Sequence, residues 1–592
     1  MQRQLKMACA KAVSAALALI FLASLAMTAS PAHAQSLPGY SVPTYTCARN
    51  WYLDPNGNDN NSGNSSSSPW QTMQRADASV SGGDCVNLAP GAYYTAPITI
   101  THGGYANTST GYVVYRSTTP QTGHIIMAYS AYVDLININT ANYLIFDGLE
   151  LDGNNNSAQD NCLGNYPNGI HHIVVENSLV HGCGFSGIGF GFSEYLWIVN
   201  NKVYNNDALY NGSGISVFEP DVANVYDPAF SPNGADQGQY YHIIVANNVV
   251  YNNVVTYNDG SADHTDGNGI IFDDFNHSHQ DDPRGNVPYP QPSLIEGNYS
   301  YNNGASGIQV YSGQGARVAN NSLFDNCTDP LYYADYWRAD IRCVACDYST
   351  FVNNAVYSVP GSSGYPAWTL NFANDPNVAG SNTWSNNIGN TSTNWGTIPS
   401  TGSFFGVDPK FNNPWGGDFS LQAGSLALGT ALAEPWLTSS LNMGAWQSAA
   451  ATGTTSSGGG STGTATSAIT VLLASPSALT RPAGGYFGYS TNWQGGPTTG
   501  GNWEIFVHFT DQNGNIIWQD DHNPTTPTSQ WSSAWYQDGP RFLNVPSSVP
   551  AGVYDIRVGL YNTSWQRYSL NPGTGVTVDN QLRYTVGTIT VQ

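Results

Sequence analysis

Charge is scarce in this chain. Only 10% of its 592 residues are Asp, Glu, Lys or Arg, where about a quarter is usual. Positive charge is scarcest: 17 Lys and Arg stand against 40 Asp and Glu, a formal net of -23. Such a chain cannot neutralise a phosphate backbone, which excludes a nucleic-acid binder. The Ala/Glu/Lys/Leu/Arg patterning of coiled coils and bundles is also missing. Beyond Ser14 to Met27 no segment is apolar enough to span a bilayer, so membrane insertion is not expected. What the chain does have is 63 Gly, 33 Pro, 37 Tyr and 16 Trp, with 41% apolar residues. That suffices for a large core and excludes disorder throughout. The length allows two or three units.

Arg3, Lys6 and Lys11 precede the apolar stretch 14–27, and Ala32-His-Ala34 follows it. This reads as a secretory signal over 1–34, too short for an anchor. It carries three of the basic residues and no acid, so the mature chain holds 14 against 40, a net of -26. Only Lys202 and Lys410 remain as lysines. Export, to the periplasm or the medium, permits disulfides among the seven remaining cysteines. Cys47 is expected to pair with Cys85, and Cys162 with Cys183. Cys327 is left to pair with Cys343 or Cys346, and one thiol stays odd. Cys343-x-x-Cys346 alone is weak evidence for zinc or redox chemistry.

A degenerate repeat runs through the middle. One column holds Asn177, Asn201, Asn248, Asn298, Asn321, Asn354 and Asn387, with unbroken steps of 24 and 23 residues. A second holds Gly187-Ile188, Gly214-Ile215, Gly269-Ile270 and Gly307-Ile308. Three short strands and three turns take roughly 20 to 25 residues, and no such rung buries its apolar face alone. A right-handed parallel β-helix over 35–449 follows, with the four isoleucines in one interior file. Asn at the turn tolerates the left-handed region and bonds the neighbouring rungs. Residues 450–467 form a Gly/Ser/Thr linker. Alternating runs in 468–592 suggest an immunoglobulin-like β-sandwich, with most of its tryptophans in the core. The whole is all-β.

Trp51-Tyr-Leu-Asp-Pro-Asn-Gly-Asn and Pro69-Trp-Gln-Thr-Met-Gln resemble the N-terminal cap of the secreted pectate-lyase-like right-handed β-helix proteins. Asp408-Pro-Lys-Phe, Gly417-Asp-Phe-Ser-Leu and Met443-Gly-Ala-Trp resemble their closing rungs. The resemblance covers about 47–448 and implies the fold. That fold hosts lyases, hydrolases, epimerases and adhesins.

Where charge is scarce, a cluster of acids is informative. Asp263-His-Thr-Asp266-Gly-Asn-Gly-Ile-Ile-Phe-Asp273-Asp274 is the densest. With Ile270 and Phe272 inward, alternation turns Asp273 outward. Phe218 and Tyr311 fall in its column, Ser216 and Gln309 in the next, and Glu219 matches Asp274. Asp263, Asp266, Asp273 and Asp274 are the expected metal ligands, since crowded carboxylates need a cation and an oxygen set suits Ca²⁺. Glu219, Phe218, Gln309 and Tyr311 are the expected substrate contacts. Asp273, Asp274, His264 and Arg317 are the expected catalytic residues.

The Asp pair resembles the calcium site of family 9 polysaccharide lyases, which implies β-elimination on a uronate glycan. Their base is a lysine, and none lies on the following rungs here; Arg317, Arg338, His264 or Tyr311 stands in. Thr265-Asp266-Gly267 resembles family 28 polygalacturonases. This implies an alternative, an inverting hydrolase with Asp266 and Asp273 or Asp274 as acid and base. The third expectation is a non-enzymatic glycan-binding protein or adhesin. In each case the partner is an extracellular polysaccharide and the protein a monomer. The insertions 220–240 and 276–292 border the acids, as substrate loops do. His277-x-His279 alone is weak evidence for a transition metal.

Overall fold

A computed structural model describes residues 40–447 and 469–591. Within these it leaves out 106–109, 166–167, 210–211, 233–238, 257–263, 279–286, 333–337, 360–369, 376–381, 393 and 435–441. In the C-terminal part it leaves out 476–477, 482, 484–485, 496–497, 499–501, 513, 525–526, 532–534, 547, 563–566, 573–575 and 580. The signal and linker positions, 1–34 and 450–467, lie outside the described residues, as do Asp263 and His279.

Three parallel sheets of eleven, eleven and nine strands wind from Arg49–Leu53 to Phe404–Phe405. Each turn of chain adds one strand to each sheet in fixed rotation, which makes a right-handed parallel β-helix. The interior file of the third sheet runs Ile98, Ile136, Leu163, Ile188, Ile215, Ile270, Ile308, Ile341 and Phe372 in register. None is more than 2% exposed. Each such side chain contributes about 1.5–3 kcal/mol by leaving water.

Asparagine doublets make two of the corners, and the two residues divide the labour. The first of each pair takes the left-handed backbone: Asn200, Asn247, Asn320, Asn353 and Asn386 have φ between 50° and 58°. The second forms a buried ladder. The Oδ1 of Asn248 accepts from the backbone N–H of Asn201 at 2.9 Å and from its Nδ2 at 3.1 Å. Asn298, Asn321, Asn354 and Asn387 repeat this. Asn177 belongs with the left-handed residues, and Ser178 takes the ladder place below Asn201. A second ladder runs Asn206, Asn253, Asn303, Asn326 and ends on Asp340.

Cys47–Cys85 and Cys162–Cys183 are bridged as expected. The third bridge is Cys343–Cys346, which corrects the expected partner of Cys327. Cys327 is a free, buried thiol. Register puts Cys343 inward at the end of its strand and the turn brings Cys346 back beneath it.

The N-terminal motif stacks Trp51 on Trp70 at 4.8 Å. Gly63 is required there: a Cβ would stand 2.2 Å from the Trp70 ring. The presumed closing rungs do not extend the stack. Phe411–Asn413 and Asp418–Leu421 pair antiparallel, and Phe411, Phe419 and Met443 pack with the outward Tyr251, Tyr301 and Phe324 of the second sheet. Their alternation buries one face against aromatics already outside the solenoid.

Residues 470–591 form a small β-sandwich of two sheets around one core. Trp493 and Trp531 are in that core, and Trp503 and Trp518 pack against it.

Candidate functional site

The third sheet carries the acidic strand Asn268–Asp273 on its outer face. Register sets one outward column as Gly191, Phe218, Asp273, Tyr311, Val344. The neighbouring column is Gly189, Ser216, Ile271, Gln309, Arg342. Both contain the contacts expected from alternation, because inward Ile270 and Phe272 leave only one orientation for Asp273. Adjacent strands are about 4.8 Å apart, so Asp273 and Arg342 are separated by two such steps along the stack and by one column across it.

Asp274 turns out of the strand. It shares a column with Glu219 and Ser312, all three left-handed, with φ of 53°, 43° and 42°. Asp274 is fully buried and Glu219 nearly so. The Oδ1 of Asp274 accepts from Ser278 N at 2.9 Å and Ser278 Oγ at 2.6 Å, which fixes the turn after the strand. His277 is buried there and donates to the Pro220 carbonyl from Nε2 at 2.7 Å, tying the insertion at 220 to this turn.

Asp266 is half-buried at the strand's entry and accepts from Thr265 Oγ1 at 2.8 Å. Repulsion from Asp266 adds to burial in raising the Asp207 carboxyl well above its ordinary range. Tyr311 is 38% exposed. Packing against its neighbours raises its phenol above the ordinary value, and the charges of Asp273, Asp274 and Asp266 add to this, while Arg342 opposes it. The Tyr311 hydroxyl thus feels the charge of all four groups.

His264 lies at the rim, bridged to Tyr332 through the backbone. It is 8% exposed, and its Nδ1 meets Asp329 Oδ2 in a short contact. The Tyr332 hydroxyl receives a bond from Arg342 and donates to Gln309 Oε1 at 3.3 Å. Arg338 caps the same loop, donating to the carbonyls of Asp329 and Pro330 at 2.9 and 3.1 Å.

One expected catalytic residue is elsewhere. Arg317 sits in the first sheet, beside Leu294 and Thr350, and forms an ion pair with Glu434. Proximity in sequence placed it after the acidic strand, but the intervening turn carries it to a different face. Neither lysine serves the strip: Lys202 is in the second sheet and Lys410 bonds the Gly424 carbonyl. The cation of the site is Arg342. Extending the isoleucine file to Ile341 would have found it, since Ile341-Arg-Cys343 repeats Ile308-Gln-Val310.

Of the four expected calcium ligands, Asp263 lies outside the described residues, and Asp266, Asp273 and Asp274 are placed as above. No three of Glu219, Asp266, Asp273 and Asp274 bring ligand atoms within 4.8 Å of one another. Asp274 is engaged by Ser278, and Glu219 is buried.

The chain has the parallel β-helix architecture that the pectate-lyase-like resemblance implies. No protein-family model matches it, and no curated protein matches it. Among solved structures it is similar to a pectate lyase, with TM-score 0.40 and 16% identity over 68% of this chain and 97% of that one. It is similar to a rhamnogalacturonan lyase with TM-score 0.39 and 14% identity over 57% and 87%. An Azotobacter vinelandii mannuronan C-5 epimerase A-module gives TM-score 0.27 and 12% identity over 55% and 91%. The β-helix itself is read from the three sheets and their register.

Proposed function

We propose that the protein is a secreted polysaccharide lyase that cleaves a uronate glycan on the outer face of the third sheet. The observation that carries this reading is Arg342 on the same face as Asp273 and Tyr311. A strip of carboxylates alone repels a polyuronate. A guanidinium pairs with a uronate carboxylate in bidentate fashion and acidifies the proton α to it. His264, held through Nδ1 by Asp329, is the base that removes that proton. The electron pair forms the C=C bond, the glycosidic C–O bond breaks, and the departing oxygen takes the Tyr311 proton. Phe218 offers a ring face to a sugar, Gln309 a hydrogen bond, and Asp273 and Asp266 orient the hydroxyl-bearing groups beside Tyr311. No step above is routed through Ca²⁺; Asp263, one of its four expected ligands, lies outside the described residues.

A second reading is an inverting hydrolase, favoured by Asp266 and Asp273 both acting on Tyr311. One assay separates the two. Mature protein is incubated with a panel of polyuronates and neutral glycans, with and without chelator. Ultraviolet absorbance of the unsaturated product is read beside new reducing ends. Both signals rising together on a polyuronate support the lyase. Reducing ends without absorbance refute it in favour of the hydrolase, and no cleavage at all favours a glycan-binding protein.

A further inference from the structure

A second charged cluster stands on the outer face of the second sheet. Register places His124 beside Glu150, and Asp152 beside His181. All four turn outward, because Ile125, Leu151 and Val180 between them are buried in the core. His124 Nε2 is 3.0 Å from Asp152 Oδ2, and its Nδ1 is 3.6 Å from Glu150 Oε2. His181 Nε2 is 3.2 Å from Glu150 Oε1, and its Nδ1 is 3.7 Å from Asp152 Oδ1. One ligand atom each from His124, Asp152 and His181 lie within 4.8 Å of one another. A tetrahedral zinc ion holds its ligand atoms roughly 3.4 Å apart, so small rotations of three half-buried side chains complete the set.

The surroundings suit a bound ion. In the same outward column, Tyr204, Tyr251 and Tyr301 follow His181 in a continuous stack, with Tyr204 4.9 Å from the His181 ring. Phe411, Phe419 and Met443 pack with Tyr251 and Tyr301, so the column is aromatic where it is covered and His/carboxylate at its other end. Asp152 and His181 also line a cleft of about 220 Å³ with three consecutive asparagines, Asn154 to Asn156.

We propose that His124, Asp152 and His181 bind a divalent transition-metal ion, best matched by Zn²⁺, with Glu150 orienting both imidazoles from outside. Two imidazole nitrogens and one carboxylate are a donor set for zinc, where an oxygen-only set serves calcium. Three protein ligands leave a coordination position open toward the asparagine cleft. Glu150, in contact with both rings, fixes their orientation as outer carboxylates do at zinc sites.

The test uses tag-free mature protein, stripped with chelator and dialysed. Zn²⁺ is titrated by calorimetry, and bound metal is counted by elemental analysis. The expected result is one ion per chain at micromolar affinity or tighter, uncontested by millimolar Ca²⁺. His124→Ala and His181→Ala should each weaken binding at least thirtyfold, Glu150→Gln severalfold, and Asp273→Ala not at all. Metal-free melting temperatures and far-UV spectra confirm that each variant folds; if His124→Ala or His181→Ala does not, His124→Gln or His181→Gln replaces it with the same expected loss. Absence of saturable binding, or binding undiminished in the folded His124→Ala/His181→Ala double variant, overturns the proposal. Loss of zinc binding in Asp273→Ala would also overturn it, by moving the site to the third sheet.

Discussion

The outer faces of the second and third sheets are built by one rule and reach opposite results. On both, register lines up side chains from successive strands, about 4.8 Å apart. On the second sheet His124, Asp152 and His181 close on one another across three strands. On the third, Asp273 and Tyr311 share one column over successive strands and Arg342 stands in the next column one strand on, and no three described acids bring ligand atoms together. Stacking sets the spacing between groups on both faces, two residues in one column and the third in the next; the side chains themselves decide whether they converge on an ion or spread along a chain-like ligand. An extended strip suits a polymer, and a compact knot suits a single ion.

The largest expected effect breaks the third-sheet side of this comparison. Asp273→Ala and Arg342→Ala should each lower kcat/KM on the glycan that the panel identifies by about a thousandfold, the scale of losing a charge-stabilising group in a closed site. Circular dichroism and melting should stay near wild type, since neither side chain is in the core. Full activity in a folded Arg342→Ala protein would remove the guanidinium from the chemistry.

Both faces depend on register, and the ladders hold it. Asn248→Ala removes the acceptor of Asn201 N and Nδ2 and the donor to Ile198 O. Leaving such buried groups unpaired should cost about 3 kcal/mol, read as a lower denaturant midpoint. A cost below about 0.5 kcal/mol would mean water replaces the ladder.

The strand that carries Arg342 also holds a buried acid that reads pH. Asp340 ends the second ladder, and burial pushes its carboxyl up to about 7, with bonds from Ser358 and Asn326 opposing. A folded value above the unfolded one gives stability that is complete below pH 4 and lost as pH rises through 7. Asp340→Asn keeps an acceptor for Asn326 and cannot ionise. Relative to wild type it should gain about 2 kcal/mol between pH 5 and pH 8. Parallel stability curves for the two proteins would show that Asp340 is not strained by its charge.

The solenoid was legible in the sequence because its period is enforced by burial. The isoleucine file and the outward columns follow from alternation, and the Cys162–Cys183 bridge from the length of one rung. The Asn doublets were half legible: a repeated Asn marks a corner, but which Asn turns the chain and which bonds the next rung needs coordinates. The site was legible only as far as the column was followed. Arg342 was missed because Asp340-Ile-Arg-Cys343 lacks the leading glycine of the other copies. Arg317 was chosen because distance along the chain is a poor guide to which of three faces a residue occupies. His124 and His181 are 57 residues apart in sequence, and only stacking brings them together.

The smallest effect tests the hydroxyl that feels the third-sheet charges. Burial and three carboxylates raise the Tyr311 phenol above its usual value, so it stays protonated throughout a neutral assay. A phenol held neutral is suited to donate to a leaving oxygen and unsuited to abstract a proton. Tyr311→Phe should therefore lower kcat about tenfold, roughly 1.4 kcal/mol of barrier, with KM changed less than twofold. The alkaline limb of the pH profile should stay where it is, because Tyr311 does not titrate there. An alkaline limb that vanishes in the Phe variant would mean that the phenolate is the base, and His264 would lose its role. A rise in KM with kcat unchanged would make Tyr311 a sugar contact, and the strip would then bind its polymer through the same residue that was assigned to cleave it.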